Sequence, residues 1–162
     1  MSKYCEECGN KLIIKYLDNE GDIPYCPSCK AYRFPKYNVA VSMIVINKTN
    51  NKILLIKQYG NDFCVLVAGY VNKGEKAEEA VIREIKEETG MDVVDYKFNR
   101  TSYYERTNTL MLNFTVYVDS DKALNPNKEI DSYKWFDFKE AQLNIKENSL
   151  AKEFLCKFLE DK

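Results

Sequence analysis

Gly69 to Met91 reads GYVNKGEKAEEAVIREIKEETGM. Ahead of it, Val65-Leu66-Val67-Ala68 is a short apolar run of strand type, and Gly69 and Gly74 bracket a turn. The spacing predicts a helix from about Lys76 to Thr89, with Gly90 where a left-handed C-terminal residue is needed. Ala77, Ala80 and Val81 form one helical stripe, the face that meets a core. Continued by three, four and seven residues, that stripe arrives at Glu84, Glu87 and Glu88. At roughly 100° per residue the three carboxylates fall within an arc of about 100°. Like charges at such spacings repel, and burying them unpaired is costly. A cation belongs there, and three hard oxygen ligands on one face suit Mg2+ or Mn2+. Glu78, Glu79 and Lys86 read as an ordinary solvated face. Arg83 points to the side, within reach of Glu79 or Glu87 at one turn's spacing, or of Glu75 across the preceding turn. Pairing with Glu75 would brace the loop against the helix.

Gly69, five residues, Glu75, seven residues, then Arg83-Glu84-Ile85, Lys86, Glu87-Glu88, Thr89 and Gly90-Met91 resembles the Nudix box, and each defined position of that motif is met. The resemblance implies an α/β/α sandwich of α+β class with a mixed sheet. It implies hydrolysis of a nucleoside diphosphate linked to another group. By the same resemblance Glu84, Glu87 and Glu88 are Mg2+ or Mn2+ ligands, the Gly69 carbonyl is a further one, and Glu75 and Arg83 are the structural pair.

The chain has 162 residues, long enough for one domain of ordinary size and a small appendage. Lys+Arg number 24 and Asp+Glu 25, a net charge of -1 that gives no general attraction for nucleic acid or an anionic membrane. No apolar run approaches a membrane span and no signal peptide opens the chain, so the expectation is a soluble cytoplasmic protein. Histidine is absent. That removes Ser-His and Cys-His catalysis and leaves carboxylates and metal for proton transfer.

Residues 1–35 form the appendage. Cys5-Glu6-Glu7-Cys8 and Cys26-Pro27-Ser28-Cys29 are two CxxC pairs at the spacing of a four-thiolate zinc site. Gly9 and Lys30 follow the pairs, as suits tight turns that aim sulfurs at one ion. Lys11–Leu17 alternates like a strand and 18–22 is a turn. The segment resembles a zinc ribbon. Two disulfides are the other reading, which a reducing cytosol disfavours. So short a segment has little core, so metal is expected to fold it; four cysteine ligands leave no open position, which makes the zinc structural.

Pro35 marks the boundary of a second domain, 36–162. Val39–Ile46 is a near-continuous β-branched run, as in a central strand. Lys52–Gln58 is a second strand, and 59–62 leads toward the acidic box. Val93–Phe98 reads as a strand, Thr101–Arg106 as polar and aromatic, Leu110–Val118 as a strand, Leu124–Asp131 as a loop, and Ser132–Phe138 as a strand. Two short helices follow. Ser149 can cap the second, whose Leu150, Phe154, Leu155, Phe158 and Leu159 form a stripe for core or dimer contact. Cys64 and Cys156 read as partly buried thiols without a reactive setting.

A zinc ribbon ahead of a Nudix domain resembles the architecture of NADH pyrophosphatases along essentially the whole chain. Those enzymes carry the run SQPWPFPxS downstream of the box. Here Thr101-Ser102-Tyr103-Tyr104-Glu105-Arg106-Thr107-Asn108-Thr109 stands in its place, without the prolines or the tryptophan. Tyr103 and Tyr104 can still stack on a base and Arg106 can meet a phosphate, although the same residues also suit an exposed strand surface. Glu129, ahead of Trp135-Phe136, matches a loop carboxylate that related enzymes use as metal ligand or base. Glu87, Glu88 and Glu129 are thus the candidates for taking a proton from water. The resemblance also favours a homodimer.

The expected reaction is metal-dependent cleavage of the diphosphate in a small nucleotide of the NADH, NAD or ADP-ribose class, releasing a nucleoside monophosphate. Two other functions fit the same residues: a nucleotide-sensing regulatory domain without turnover, and RNA 5′-end processing with the ribbon as reader. The intact glutamate set argues against the first. The near-zero charge and the acidic Cys5–Cys8 knuckle argue against the strong polyanion binding that the second requires.

Overall fold

The computed structural model describes residues 3–119 and 124–161, in two units that divide between Tyr37 and Asn38.

In the first unit, β1 (Ile13–Leu17), β2 (Gly21–Cys26) and β3 (Ala31–Tyr32) form an antiparallel sheet in that order. Ile13 lies opposite Tyr25 and Leu17 opposite Gly21. Left-handed Asn19 and Gly21 (φ 68° and 80°) turn the chain between the first two strands. β1 is largely exposed, so no core holds it. What packing there is comes from edge-to-face Tyr25 and Tyr32, 5.0 Å apart, with the Lys15 ammonium 4.4 Å over the Tyr25 ring.

In the second unit the sheet is built around β4 (Asn38–Asn47), which is buried on both faces from Ala40 to Asn47. That explains its unbroken apolar reading, since a strand covered on both sides has no solvent face to alternate with. β5 (Lys52–Gln58) and β6 (Val67–Tyr70) pair antiparallel with the two ends of β4. β7 (Asp95–Tyr104) and β8 (Thr109–Val118) form a hairpin, and β8 runs parallel to β4 along its whole length. β9 (Ile130–Phe136) closes the far edge against β5. The sheet order is β7-β8-β4-β5-β9, with β6 beside β4, so the sheet is mixed.

One helix covers one face and two cover the other. α1 (Ala77–Thr89) puts Ala80, Val81 and Ile85 into a core with Val41, Met43, Leu54, Ile56, Val67 and Phe114. α2 (Phe138–Asn144) and α3 (Leu150–Glu160) cover Ile44, Ile46, Ile53, Leu55 and Leu66 with Phe154, Leu155 and Ala141. This is the expected α/β/α sandwich. Ile85 is fully buried, and cutting it to Ala should cost about 2–5 kcal/mol. The stripe on α3 goes into the core at Phe154 and Leu155, and the Ser149 hydroxyl accepts from the Lys152 amide at 3.1 Å as the cap.

Three strands differ from their sequence reading: β6 is Val67–Tyr70 rather than 65–68, β9 is Ile130–Phe136 rather than 132–138, with Phe138 opening α2, and β7 departs most. β7 starts at Asp95 rather than Val93 and runs on through Thr101–Tyr104 before a single 3-10 turn, Glu105–Thr107. As an edge strand with one side open to solvent it carries no clean apolar alternation, which hid its second half. Among the described residues no helix is long and apolar enough to cross a membrane.

Candidate active site

α1 begins after an extended Lys76 and ends at Gly90, whose φ of 74° is left-handed and whose amide donates to the Lys86 carbonyl at 3.0 Å. A residue with a Cβ would resist that conformation. The helix thereby stops at Thr89, packed against β6 and β4.

The three helix carboxylates occupy different environments. Glu88 is 5 % exposed, and its Oε2 has no hydrogen-bond partner. Glu84 keeps 12 % of its side chain exposed and Glu87 keeps 58 %. An arc on a helical wheel groups them, and Arg83 Nη1 bridges two of them, reaching Glu84 Oε1 at 2.7 Å and Glu87 Oε2 at 3.2 Å. Burial is the main force pushing the Glu88 carboxyl up to about 8, with the charges of Glu84, Glu129 and Glu87 adding to it. A buried carboxyl with an orphaned oxygen, facing three other carboxylates, is a place for a divalent cation.

Gly69 lies beside Glu84. A Cβ built on Gly69 would sit 2.0 Å from the Glu84 Cδ. The carboxyl therefore packs directly on the backbone of β6, and only glycine leaves that room.

Arg83 ties the turn to the helix. Its Nε donates to Glu75 Oε1 at 2.7 Å and its Nη2 to Glu75 Oε2 at 2.9 Å; Nη2 also reaches the Tyr70 carbonyl at 3.0 Å, and Nη1 reaches Glu84 Oε1 at 2.7 Å. The Asn72 amide donates to Glu75 Oε2 at 2.8 Å. Arg83 first, and then that amide, hold the Glu75 carboxyl down at about 2.

Glu129 reaches the site from the other side. The Asn127 amide donates to the Glu88 carbonyl at 2.9 Å and the Asn125 amide to the Thr89 carbonyl at 2.8 Å, so the loop is stitched to the end of α1. Asn127 Oδ1 then accepts the Glu129 amide at 2.9 Å. The charge of Glu129 is felt at Glu88. The Tyr59 hydroxyl, in a segment whose sequence says only that it leads toward the acidic box, donates to Glu129 Oε2 at 2.9 Å. Those residues are 70 positions apart, and no local pattern joins them.

Tyr103, Tyr104 and Arg106 are exposed. Tyr103 lies opposite Leu110 and Tyr104 opposite Thr109, so the two rings leave opposite faces of the sheet. They do not form one stacking platform. Both line the rim of a cavity of about 530 Å3 between the end of β7 and the start of α3, with Ser102, Asn148, Ser149 and Cys156, and no box glutamate lines it.

In the first unit the sulfurs of Cys5, Cys8, Cys26 and Cys29 all lie within 4.8 Å of one another. Gly9 and Lys30, the residues after the two pairs, both have left-handed φ (72° and 53°). The Cys29 amide donates to Cys26 Sγ at 3.4 Å and Arg33 Nε to Cys5 Sγ at 3.3 Å. Arg33 is the chief cause that lowers the Cys5 thiol to about 6, while the neighbouring Cys8 sulfur pushes Cys29 the other way. Four sulfurs so close are compatible with a small zinc ribbon.

Residues 36–158 match the family model described as NUDIX domain. The chain is 27% identical over 137 residues to the NAD-capped RNA hydrolase NudC of Pseudomonas aeruginosa, covering 83% of this chain and 48% of that protein. It is 26% identical over 155 residues to the NAD-capped RNA hydrolase NudC of Escherichia coli, covering 94% and 58%. The chain thus spans about half the length of the curated relatives it matches. The crystal structure of a NUDIX hydrolase from Nitrosomonas europaea superposes with a TM-score of 0.68 at 20% identity, covering 99% of this chain and 92% of that one, a likeness of fold.

Proposed function

Because the chain belongs to the NUDIX domain family, we propose that its acidic site hydrolyses the diphosphate of a nucleoside diphosphate derivative, with an NAD-like dinucleotide as the first candidate substrate. The observation that carries this reading is the Glu88 carboxyl, buried, unpartnered at Oε2 and under the charges of Glu84, Glu129 and Glu87.

Glu84, Glu87, Glu88 and Glu129, with the Gly69 carbonyl, are the groups to hold Mg2+ or Mn2+. A divalent ion there would neutralise charge on the diphosphate oxygens and make a water molecule more acidic. Glu75 and Arg83 keep the turn and Glu84 in register. Glu87, Glu88 or Glu129 takes the proton from the attacking water. Water adds to one phosphorus, the P–O–P bridge breaks, and a nucleoside monophosphate leaves with its oxygen. Tyr103, Tyr104 and Arg106 remain candidates for base and phosphate contact, with Tyr103 and Tyr104 acting from different faces.

We assign residues 1–35 as a ribbon held by structural Zn2+ on Cys5, Cys8, Cys26 and Cys29, and 36–162 as the hydrolase domain. Six cysteines without a disulfide fit a reducing cytoplasm. The homodimer is carried as part of the same reading.

A second reading is favoured by the relatives themselves, which are named as hydrolases of NAD-capped RNA. The same diphosphate would then be cut at an RNA 5′ end, and the near-zero net charge would leave little general hold on the rest of the strand.

The test offers NADH, NAD, ADP-ribose and NAD-capped RNA with Mg2+ or Mn2+, beside Glu88→Gln. Release of AMP or of 5′-monophosphate RNA by the wild type, lost in the variant, supports hydrolysis and ranks the substrates. Nucleotide binding without any turnover would replace the enzyme with a sensor.

A further inference from the structure

The turn after β5 carries an unusual residue for its shape. Tyr59 has a left-handed φ of 55° and Gly60 follows at 70°. Glycine or asparagine adopts such a φ readily; a tyrosine there works against its own Cβ. Its ring is also 67 % exposed, so burial does not compensate. What holds the turn is polar. The Gly60 amide donates to Asp131 Oδ2 at 2.6 Å, and the Tyr59 hydroxyl donates to Glu129 Oε2 at 2.9 Å. Both acceptors lie at the start of β9, beside a register shift between Lys57 and Gln58 in the β5–β9 pairing.

That arrangement has one effect on the acidic site. Glu129 is exposed, and its charge acts with that of Glu84 on the buried Glu88. Repulsion from these carboxylates would turn Glu129 outward into water. Among the described residues, the side-chain donor that reaches it is the Tyr59 hydroxyl. We propose that Tyr59 is a positioning residue: its strained turn presents a neutral donor that holds Glu129 in place as a divalent-cation ligand, leaving the second oxygen of Glu129 free for the ion. The inference rests on the cation reading of Glu129 given above. Strain retained where a ligand is oriented is the pattern expected of a functional turn, and a neutral donor behind a ligating carboxylate is how proteins orient metal ligands.

Mn2+ binding tests this without any substrate. Free Mn2+ is titrated by its EPR signal in the full chain, wild type, Tyr59→Phe, Glu129→Gln and the double variant. Tyr59→Phe removes only the hydroxyl and keeps the ring, and it should weaken Mn2+ binding about tenfold. In the Glu129→Gln background the same change should have no further effect, because Tyr59 acts through Glu129. Binding by Tyr59→Phe equal to the wild type overturns the proposal. So does an equal loss in both backgrounds, which would mean that Tyr59 acts independently of Glu129, and so does a wild type that binds no Mn2+. The hydrolase reading fails separately: a wild type that binds Mn2+ with this coupling and cleaves no nucleotide sinks the reaction and leaves the role of Tyr59 standing.

Discussion

Arg83 and Glu75 meet fork to fork, Nε on one carboxylate oxygen at 2.7 Å and Nη2 on the other at 2.9 Å. Eight residues and a turn separate them, so the pair closes the loop onto the helix that carries the other acids. Lysine keeps the charge but cannot make two parallel hydrogen bonds. Arg83→Lys should therefore fold and lose about 10–100-fold in turnover, because Glu84 and the turn shift relative to each other. Equal turnover in a side-by-side rate measurement would remove the brace from the mechanism.

The same pair sets an acid limit on stability. Glu75 is held down at about 2 against an ordinary value of 4.5. Its contribution is fully present above about pH 4.5 and is lost as the pH falls through 2. Glu75→Gln should melt below the wild type at pH 7, and the gap should close as both are acidified. A gap that stays constant down to pH 2 would contradict this.

Glu88 acts in the opposite sense. With no cation bound its carboxyl is pushed up to about 8. Between 4.5 and 8 the folded protein keeps a proton that the unfolded chain releases, so stability falls as pH rises through that window and levels off above it. Chelator-treated wild type should lose melting temperature from pH 5 to pH 8, while Glu88→Gln should show a flatter profile. Added Mn2+ should restore the wild type at pH 8 and do little for the variant. Parallel profiles would show that Glu88 does not carry the effect.

Gly69→Ala places a methyl group where the Glu84 carboxyl now lies, 2.0 Å from its Cδ. The obstacle is the end of a flexible side chain, so the fold should survive with a small change in melting temperature. Glu84 must swing away, and Mn2+ affinity and turnover should both fall by about 10-fold or more. Unchanged Mn2+ affinity would detach Glu84 from the cation site.

Metal analysis of the purified chain should give one zinc per molecule. Stripping it should collapse β1–β3, whose strand β1 is mostly exposed and has no core to fall back on. The loss would appear as new proteolytic cuts before Tyr37. A ribbon that stays protected without zinc would show that the pairing of β1, β2 and β3 is sufficient alone.

Local chemistry was readable from the chain, and contacts across long sequence separations were not. α1 announces itself through a 3.6-residue period and a glycine at the one position that needs a positive φ. The four cysteines announce a site because ligand spacing within each pair is short and fixed. β4 was legible because burial on both faces leaves a continuous apolar run. By contrast, a helical wheel places Glu87 on the same arc as Glu84 and Glu88 and does not show that its side chain is the most exposed of the three. Tyr103 and Tyr104 look like neighbours for stacking until the pleat sends them to opposite faces. Tyr59 was hidden because its partner is Glu129, and the register of β5 with β9 is what brings them together.

The loop before β9 is joined to α1 through the carbonyls of Glu88 and Thr89, which accept the Asn127 and Asn125 amides. Main-chain bonds thus fix the loop at Asn125 and Asn127 relative to Glu88, and leave the aim of the Glu129 carboxylate to side-chain contacts. In evolutionary terms the spacing of the two acids can be inherited as one unit.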